Sequence, residues 1–248
     1  MAHKTRVNGT NYGITGGKCR VNGTNYSIKK GRTLIGRTGY DILFTKKLGN
    51  MAVGESVYLN ENGSPAEFYV AKHNYENGLN GSGRTLVVRK DCYDTRAWNS
   101  AVVNAWASCT LRSWLNGDYL NMLDADIRGV IGTTKYYYTP GNGDKSVTTR
   151  SDAVFQLSIT ELGKTSGDVN AEGTALPIAS TLQVAHLNGS SVKQWTRSPS
   201  KTDTVTVSYL DWSGNVNSYF CTRTNGSRPA FTLPSSIAVN PSDYTIIG

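Results

Sequence analysis

The chain has 248 residues, with 38% hydrophobic residues, 18% charged residues and a formal net charge of +8. This composition excludes a disordered, charge-rich tail and is poor in the residues that build helical bundles. Gly, Asn, Ser and Thr make up about two fifths of the chain, beside 14 Tyr and 5 Trp. We therefore expect short strands, many turns and a core of ordinary size.

The positive charge is concentrated at the N-terminus. Residues 1–50 hold ten basic side chains and one acidic side chain, Asp41, whereas residues 51–248 have a net charge of −1. A basic arm can bind nucleic acid or an anionic surface, or dock on an acidic protein. No Lys/Arg run in the arm exceeds two residues, so we favour a protein partner and expect no nucleic acid.

The arm contains a repeat with a period of 14 residues, because Arg6–Tyr12 recurs unchanged as Arg20–Tyr26. Each copy holds an Asn-Gly pair, at 8–9 and at 22–23, which favours a type I′ hairpin turn. Such short hairpins cannot bury a core alone. We interpret residues 1–50 as an attachment arm and residues 51–248 as a ligand-binding domain.

Neither a membrane helix nor a signal peptide is visible in the sequence. We therefore expect that the protein does not insert into a membrane, and that it is made in a host cytoplasm without Sec-dependent export. The sequence has four widely spaced Cys and three His, which form no metal-ligand motif. We expect mostly buried free thiols, no metal and no cofactor.

Several strands are predicted in chain order. Residues 33–44 look like a linker and a first strand. Residues 56–59 and 66–70 alternate apolar and polar residues around Asn60–Gly63, which predicts a hairpin. Residues 84–88 predict a further strand.

Two helices are predicted next. Ser108 or Thr110 can cap the first, in which Leu111, Trp114, Leu115 and Met122 have helical spacing; these share one face. Asp124 is the expected cap of the second helix, which would turn Ile127, Val130 and Ile131 inward.

The remaining pattern returns to strands, at 153–159, 204–209 and 230–233. Strands, helices and strands thus follow one another without βαβ alternation. The predicted class is α+β, with an antiparallel sheet, two short helices and long loops, preceded by a small β-hairpin arm.

Three motifs occur in a fixed order: Leu111–Asn116, Trp195–Pro199 and Gly226–Pro234. Together they resemble a domain of uncharacterised function from gut bacteria and their phages, over roughly 55–235. That domain is similar to the formylglycine-generating-enzyme branch of the C-type-lectin fold, which implies this fold here. From chemistry alone, we expect Arg112 and Arg228 to be buried anchors for loop carbonyls, and Trp195 and Phe231 to be apolar anchors.

Residues 200–227, between the last two motifs, combine Tyr, Trp, Asn, Asp and Ser, with a hairpin turn at Ser213–Asn215. This composition is typical of binding surfaces, because aromatic side chains give large contact area at low entropy cost.

The same segment resembles the variable region of proteins diversified by diversity-generating retroelements, which display their variable residues on a C-type-lectin frame. The resemblance implies a set of displayed, ligand-binding positions, namely Lys201, Asp203, Tyr209, Asp211, Trp212, Asn215, Asn217, Tyr219, Phe220, Thr222 and Arg223. Val205, Val207 and Val216 are expected to face the core.

The sequence offers little for catalysis. His73 and His186 lie in no nucleophile context, and capping explains Asp124 and Asp126. Asp203, Asp211 and Asn215 are too scattered for a calcium site. The formylglycine-generating resemblance would require a cysteine pair, which the spacing does not suggest. We expect no enzyme and no catalytic residues.

The prediction is a non-enzymatic ligand-binding or receptor-binding protein, most simply a phage tail-tip or fibre adhesin on the virion, exposed extracellularly. The arm would contact other virion proteins, residues 200–227 would bind a host-surface protein or glycan, and the expected assembly is a homotrimer. The alternatives are a formylglycine-generating-type oxidase and a purely structural virion decoration protein.

Overall fold

The computed structural model is a mixed α+β protein in which most paired strands run antiparallel. The structure describes residues 4–7, 10–15, 18–21, 24–27, 31–35, 38–42, 45–240 and 243–247, and before residue 45 it describes the backbone alone. The predicted α+β class with antiparallel sheets is confirmed over these residues.

The strands, two to ten residues long, are β1 (Lys4–Val7), β2 (Thr10–Thr15), β3 (Lys18–Val21), β4 (Thr24–Ser27), β5 (Gly31–Ile35), β6 (Thr38–Ile42), β7 (Lys46–Lys47), β8 (Ser56–Glu61), β9 (Ser64–His73), β10 (Arg84–Arg89), β11 (Asp94–Ala97), β12 (Thr134–Tyr138), β13 (Thr148–Asp152), β14 (Val154–Phe155), β15 (Ala185–Leu187), β16 (Ser190–Val192), β17 (Gln194–Pro199), β18 (Thr206–Leu210), β19 (Val216–Phe220), β20 (Thr224–Ser227), β21 (Ala230–Pro234), β22 (Ala238–Val239) and β23 (Ile246–Ile247). The helices are short: α1 (Asn77–Asn80), α2 (Thr110–Trp114), α3 (Leu120–Met122), α4 (Ala125–Val130) and α5 (Ala179–Leu182), with 3₁₀ turns at Leu48–Asn50 and Trp106–Ser108 and a π-helical turn at Leu115–Tyr119.

The repeated N-terminal segment forms hairpins. β1 pairs with β2 and β3 with β4, and in each case the closing pair, such as Val7 with Thr10, leaves two residues between the strands. β2 also pairs with β3, which completes a four-stranded antiparallel sheet. The predicted turn residues, at 8–9 and 22–23, lie outside the described residues.

The linker predicted within residues 33–44 is wrong, because β5 and β6 form another hairpin. Their closing pair is Ile35 with Thr38. It lies 14 residues after the pair Val21 with Thr24, so the hairpin keeps the period of the repeat. Its sequence has diverged, and pairing requires only extended residues around a two-residue connection.

Two five-stranded sheets carry the body. One has the order β14-β21-β10-β9-β8 and the other the order β11-β20-β17-β18-β19. Among the described strands, β17 and β20 are the one parallel pair. β7 pairs with β22, and Leu48 beside it is fully buried, so the chain enters the body before residue 50.

The predicted hairpin at 56–70 is confirmed as β8 and β9. The strands pair from Ser56 with Tyr69 to Glu61 with Ser64. Asn62 and Gly63 form the connection, with φ values of 53° and 74°. Both residues lie in the left-handed region that a type I′ turn requires, and Asn and Gly tolerate it best.

The predicted strand at 84–88 is β10, and that at 153–159 is reduced to β14. Beyond Phe155 the backbone no longer forms a continuous ladder: the Leu157 carbonyl accepts from the Arg197 amide of β17 at 3.0 Å, and the amides that follow donate to side chains. The Ser158 amide donates to the Glu161 carboxylate at 2.9 Å, and the Ile159 amide donates to the Ser198 hydroxyl at 3.1 Å. One nearby and one distant side chain therefore replace part of the ladder that the local pattern favours.

The first predicted helix is confirmed as α2, the π-helical turn and α3, which follow one another without a break over 110–122. Leu111 and Leu115 are fully buried, as the spacing predicts. The predicted caps, Ser108 or Thr110, are wrong. Cys109 holds the N-cap position, and its Sγ accepts from the Arg112 amide at 3.4 Å.

The second predicted helix is α4, and Asp124 occupies its N-cap position. Its carboxylate accepts from the Asn60 side-chain amide at 2.8 Å and makes no bond to an α4 amide. The count of two helices is too low, because α1 and α5 also form. Each has four residues, which is too short to show a helical period in the sequence.

The two motif arginines are anchors, as predicted. Arg228 is buried and donates to the carbonyls of Arg89 and Leu182, each at 2.8 Å, and to that of Lys90. Arg112 donates to the Ala107 carbonyl at 2.9 Å and forms a bidentate ion pair with Asp152. Trp195 and Phe231 are buried, also as predicted.

A third arginine, Arg197 in β17, forms an ion pair that the sequence analysis missed. Its guanidinium is fully buried and lies 2.6 Å from the Glu161 carboxylate, which also accepts from the Tyr75 hydroxyl. It donates to the carbonyls of Tyr137 at 3.0 Å and Gln156 at 2.8 Å. Coupling to Glu161 raises the pKa of Arg197 against the effect of burial, so the charge persists.

Gly226 shows why the last motif begins with glycine. A Cβ at this position would overlap the Cys92 Sγ and lie 2.9 Å from the carbonyl oxygen of Lys193. The Gly226 amide donates to that same carbonyl at 2.7 Å, so β20 approaches the start of β17 closely.

We expect Gly226→Ala to lower the free energy of unfolding by about 2 kcal/mol or more, because a close-packed contact must open. Adding Cys92→Ala should recover part of this loss but not the crowding against Lys193. The control is Gly117→Ala, where a Cβ meets nothing within 4 Å. Urea unfolding measures all three, and equal stability of Gly226→Ala and the wild type would contradict the close approach.

Candidate functional site

The candidate site lies on the β18–β19 hairpin, which forms the core of the 200–227 segment. β18 is held between β17 and β19, and β19 is the edge strand of its sheet. The strands pair from Thr206 with Phe220 to Leu210 with Val216. The predicted turn at Ser213–Asn215 is confirmed, because these residues lie in the loop that connects β18 to β19. The hairpin ends in β19, whose outer side pairs with no described strand.

Asp211 organises the tip of the hairpin. Its carboxylate accepts from the amides of Ser213 and Asn215, both at 2.9 Å, and from the Asn217 side chain at 3.1 Å. The hydrogen bond from the Asn215 amide is the main reason that the pKa of Asp211 is lowered. This carboxylate therefore closes the turn and has little capacity left for a ligand.

The tip also rests on the body. Gly214 is buried, has a φ of 79° and lies against Gln183, with 3.1 Å between the position of a Cβ and the Gln183 Cβ. Gln183 follows α5 directly. A side chain at residue 214 would be disfavoured by the positive φ and would crowd Gln183. Glycine therefore allows the hairpin tip to pack against the body.

An aromatic cluster surrounds one lysine beside the hairpin. The Lys193 Nζ lies 5.4 Å from the ring centroid of Tyr209, 5.2 Å from that of Trp212 and 5.1 Å from that of Tyr219. The Tyr209 and Tyr219 centroids are 5.8 Å apart. Each contact is within the range of a cation–π interaction.

This cluster and its neighbours are called the aromatic face below, defined as Lys193, Tyr209, Trp212, Asn217, Tyr219 and Arg223. Tyr209 pairs with Asn217, so both share one side of the sheet, and Tyr219 lies two residues further along β19. Trp212 is 57% exposed, whereas Tyr209 is buried. Tyr209 is therefore the buried base of the cluster, and Trp212 is its exposed side chain.

Two cations of the aromatic face lack an acidic partner. Arg223, in the turn after β19, lies over the Tyr219 ring at 5.9 Å from its centroid. The same ring contacts Lys193. Within the described part of the chain, neither Lys193 nor Arg223 forms a salt bridge. The face is therefore locally positive although the body is close to neutral.

The residues predicted to be displayed fall into groups. Asp211, Trp212, Asn215, Asn217, Tyr219 and Arg223 lie together, with Tyr209 beneath them. Phe220 is 51% exposed but alternates to the opposite side of β19. Thr222 is exposed in the turn after β19. Of the three valines expected in the core, Val207 is fully buried, and Val205 and Val216 are half-buried.

Lys201 and Asp203 lie apart from this group, before β18. The Lys201 amide donates to the Asp168 carbonyl at 2.8 Å. Asp203 accepts from the amides of Val205 and Thr206 and from the Thr206 hydroxyl. These bonds lower its pKa although burial alone would raise it. Asp203 therefore shapes the entry to β18.

Lys193 is not among the residues expected from the sequence. This residue precedes β17 and lies outside the 200–227 segment, so no local pattern connects it with Trp212. Its backbone carbonyl is fixed by Gly226, which places the ammonium against the rings. The available signal was a Lys two residues before the Trp195–Pro199 motif, a position that composition alone does not distinguish.

The thiols are enclosed in the core. Cys92, Cys109 and Cys221 are buried and free. Burial raises the pKa of Cys92 and of Cys109 to about 12 and also raises the pKa of Cys221. The thiolate is the reactive form, so none of the three is activated as a nucleophile or metal ligand.

Both ring nitrogens of His73 lie within hydrogen-bond distance of other groups of the protein. One ring nitrogen of His73 lies 2.9 Å from the Thr85 hydroxyl and the other 2.9 Å from the Met51 carbonyl. His186 is exposed on β15. Among residues 45–240 and 243–247, no three His, Cys, Asp or Glu side chains gather in an arrangement for a metal ion, and no described helix is long and apolar enough to cross a membrane.

We expect Asp211→Ala to speed amide hydrogen exchange at Ser213 and Asn215 about five- to ten-fold, because each loses its acceptor. Asp211→Asn, which keeps one acceptor oxygen, is the control and should lie between. Since the folded pKa is lowered, the wild-type tip is ordered above about pH 3.9 and loosens as the pH falls through the folded pKa. Amide chemical shifts of these two residues against pH measure this, and shifts that titrate above pH 5 would contradict it.

We expect the three buried thiols to react with Ellman's reagent only after unfolding. The measurement uses a Cys19→Ser variant, in which the described cysteines are the only ones left. Reaction in concentrated guanidinium chloride should be immediate, and that of the native protein should follow the slow rate of opening. A native thiol that reacts at once would count for the oxidase alternative.

Comparison with known proteins gives a family for the region that contains this site. A family model described as a domain of unknown function (DUF6273) matches residues 82–235, more than half of the chain. No curated protein and no solved structure matches the chain. The matched range runs from β10 through β21 and includes the whole aromatic face. The chain therefore belongs to the family of the domain of unknown function DUF6273.

Proposed function

We propose that the protein is a non-enzymatic binding protein whose ligand contacts the aromatic face. The observation that carries this proposal is Trp212, a large apolar side chain that is 57% exposed at the tip of a hairpin that is otherwise well anchored. Trp is strongly favoured at the centres of binding surfaces, because its ring gives a large contact area at low entropy cost.

The support beneath the face favours a rigid, pre-formed surface. Asp211 closes the turn, Gly214 rests on Gln183, and the Tyr209 ring packs on Trp195 with centroids 6.1 Å apart. Trp195 is itself fixed, since its indole donates to the Arg96 carbonyl at 2.9 Å. A ligand that meets an ordered surface loses less entropy on binding, which favours affinity.

The chemistry around Trp212 also favours binding over structure alone. The Lys193 ammonium lies over the Trp212 ring, Arg223 adds a second cation over Tyr219, and the side-chain amides of Asn215 and Asn217 are exposed on the same hairpin. A side chain needed only for folding would be enclosed, as Trp98 and Trp106 are.

The wider setting that we propose is a phage tail tip or fibre, with a C-type-lectin-like body and a host-surface ligand. The hairpin repeat of residues 1–50 supports an attachment role towards other virion proteins, because it forms a small sheet of short strands, β1 to β4, and residues 1–50 carry the net positive charge of the chain. A homotrimer would let several weak contacts act together.

The proposal is tested with the full-length protein, fluorescently labelled, on a printed saccharide array and on a library of yeast-displayed peptides. We expect the wild type to bind at least one saccharide or peptide. Trp212→Ala should weaken that binding about thirty-fold, the usual effect of losing a central aromatic contact.

The matched control is Val147→Ala, which removes an exposed apolar side chain from a different loop. It should bind as the wild type does. The proposal fails if the wild type binds nothing on either array, or if Trp212→Ala and Val147→Ala bind equally well.

A further inference from the structure

We infer that the outer edge of β19, together with Lys193 and Arg223, binds an acidic peptide in extended conformation, which adds a strand to the sheet. This inference rests on the proposed function, because it names the ligand class of the same surface. It follows from the hydrogen-bonding state of β19, from the charges beside it and from the sequence of the strand.

β19 is an edge strand with an open side. Within the described part of the chain it pairs with β18 alone, and the one further backbone bond of its residues is the turn bond from the Arg223 amide to the Phe220 carbonyl, at 2.9 Å. In a strand, every second residue turns its N–H and C=O away from the paired neighbour. The open side of β19 therefore presents donors and acceptors for another strand.

The other edges of the two sheets are protected. β8 is bridged to Thr245 and to Leu123, and β14 has only two residues. β11 carries Arg96, which is ion-paired with Asp94 and stacked on the Trp114 ring at 3.4 Å from its centroid. Natural proteins usually blunt edges by coverage, shortness or charge, and β19, with the sequence Val-Asn-Ser-Tyr-Phe, uses none of these.

The charges beside the open edge select an acidic partner. Lys193 and Arg223 both lie against Tyr219, on one side of β19. The Asp211 carboxylate lies at the turn end of the hairpin, where it accepts from the turn amides, whereas Arg223 follows the other end of β19. An added strand projects alternate side chains to this side, so acidic residues there would meet two cations that have no described acidic partner.

The opposite side of the added strand would lie beside Phe220, which is 51% exposed and favours apolar residues there. The occupant is thus a segment that alternates acidic and apolar residues. A second copy of β19 does not fit this description, because Val216–Phe220 contains no acidic residue. A saccharide does not offer peptide groups for the open edge.

The test uses the full-length protein and synthetic peptides that alternate Glu with Val or Thr, read by fluorescence anisotropy. The Glu peptide should bind, its Gln counterpart should bind about ten-fold more weakly, and its Lys counterpart should not bind. Two further Glu peptides carry N-methyl groups on alternate residues, in the two possible phases. One phase should abolish binding and the other should leave it nearly unchanged, because only one set of amides faces β19.

On the protein side, Lys193→Gln with Arg223→Gln should weaken binding of the Glu peptide about ten-fold, and added salt should remove most of this difference. Lys135→Gln with Lys145→Gln, two exposed lysines elsewhere, is the control for net charge and should change little.

The outcomes separate this inference from the proposed function. If an array ligand is lost with Trp212→Ala but the Glu, Gln and N-methylated peptides do not differ, the inference is overturned and the proposed function stands. If light scattering shows a dimer that breaks when β19 receives Ser218→Lys, the edge pairs with a second copy and the inference is overturned. Phase-dependent peptide binding that survives Trp212→Ala would instead confirm the open edge and count against the aromatic face.

Discussion

Arg197 lies in β17, and its guanidinium is fully buried. The guanidinium connects β17 to two other parts of the chain that are distant in sequence. Its partners are a carboxylate from the loop after β14, a carbonyl from that loop and a carbonyl from β12. A buried ion pair adds little net stability compared with apolar packing, but removing one partner leaves a charge without compensation. The pair ties the loop after β14 to β17 and β12, and breaking it would leave a buried charge unpaired. β18 and the aromatic face are built outward from β17, so their position depends on this one charge.

The same dependence explains what the sequence predicts well and what it misses. The β8–β9 hairpin follows from Asn62 and Gly63, because turn chemistry acts between neighbours. The α2 segment follows from the spacing of Leu111 and Leu115 for the same reason. Glu161 lies 36 residues from Arg197, and neither shows a pattern that identifies the other. Cys109 occupies the N-cap position in place of the expected Ser or Thr, because its thiol also accepts a hydrogen bond from a helix amide. Statistical N-cap preferences favour Ser and Thr and therefore do not indicate Cys.

The site shows a similar division. Aromatic and amide-rich composition predicts where exposed residues lie, and most residues of that set do gather along the β18–β19 hairpin. Composition does not separate display from support, since Tyr209 is buried and Asp203 and Asp211 hold turns. Lys193 comes from outside the segment and supplies the central charge. The overall net charge of +8, concentrated before residue 51, is therefore a poor guide to this face, where two cations set the local potential.

The exposed side of β19 has a consequence for how the protein can change over time. Asn215, Asn217 and Ser218 are exposed, and the strand is held by its backbone pairing with β18 and by Val216. Replacing these exposed side chains leaves the strand pairing, the core and the bonds from the Ser213 and Asn215 backbone amides to Asp211 in place, and removes only the side-chain bonds of Asn215 and Asn217 to that carboxylate and to the Asn215 carbonyl. The exposed side of the hairpin can therefore take many sequences at little cost in stability, while Tyr209, Gly214 and Gly226 are fixed by their packing. The hairpin separates the residues that are free to vary from those that specify the fold.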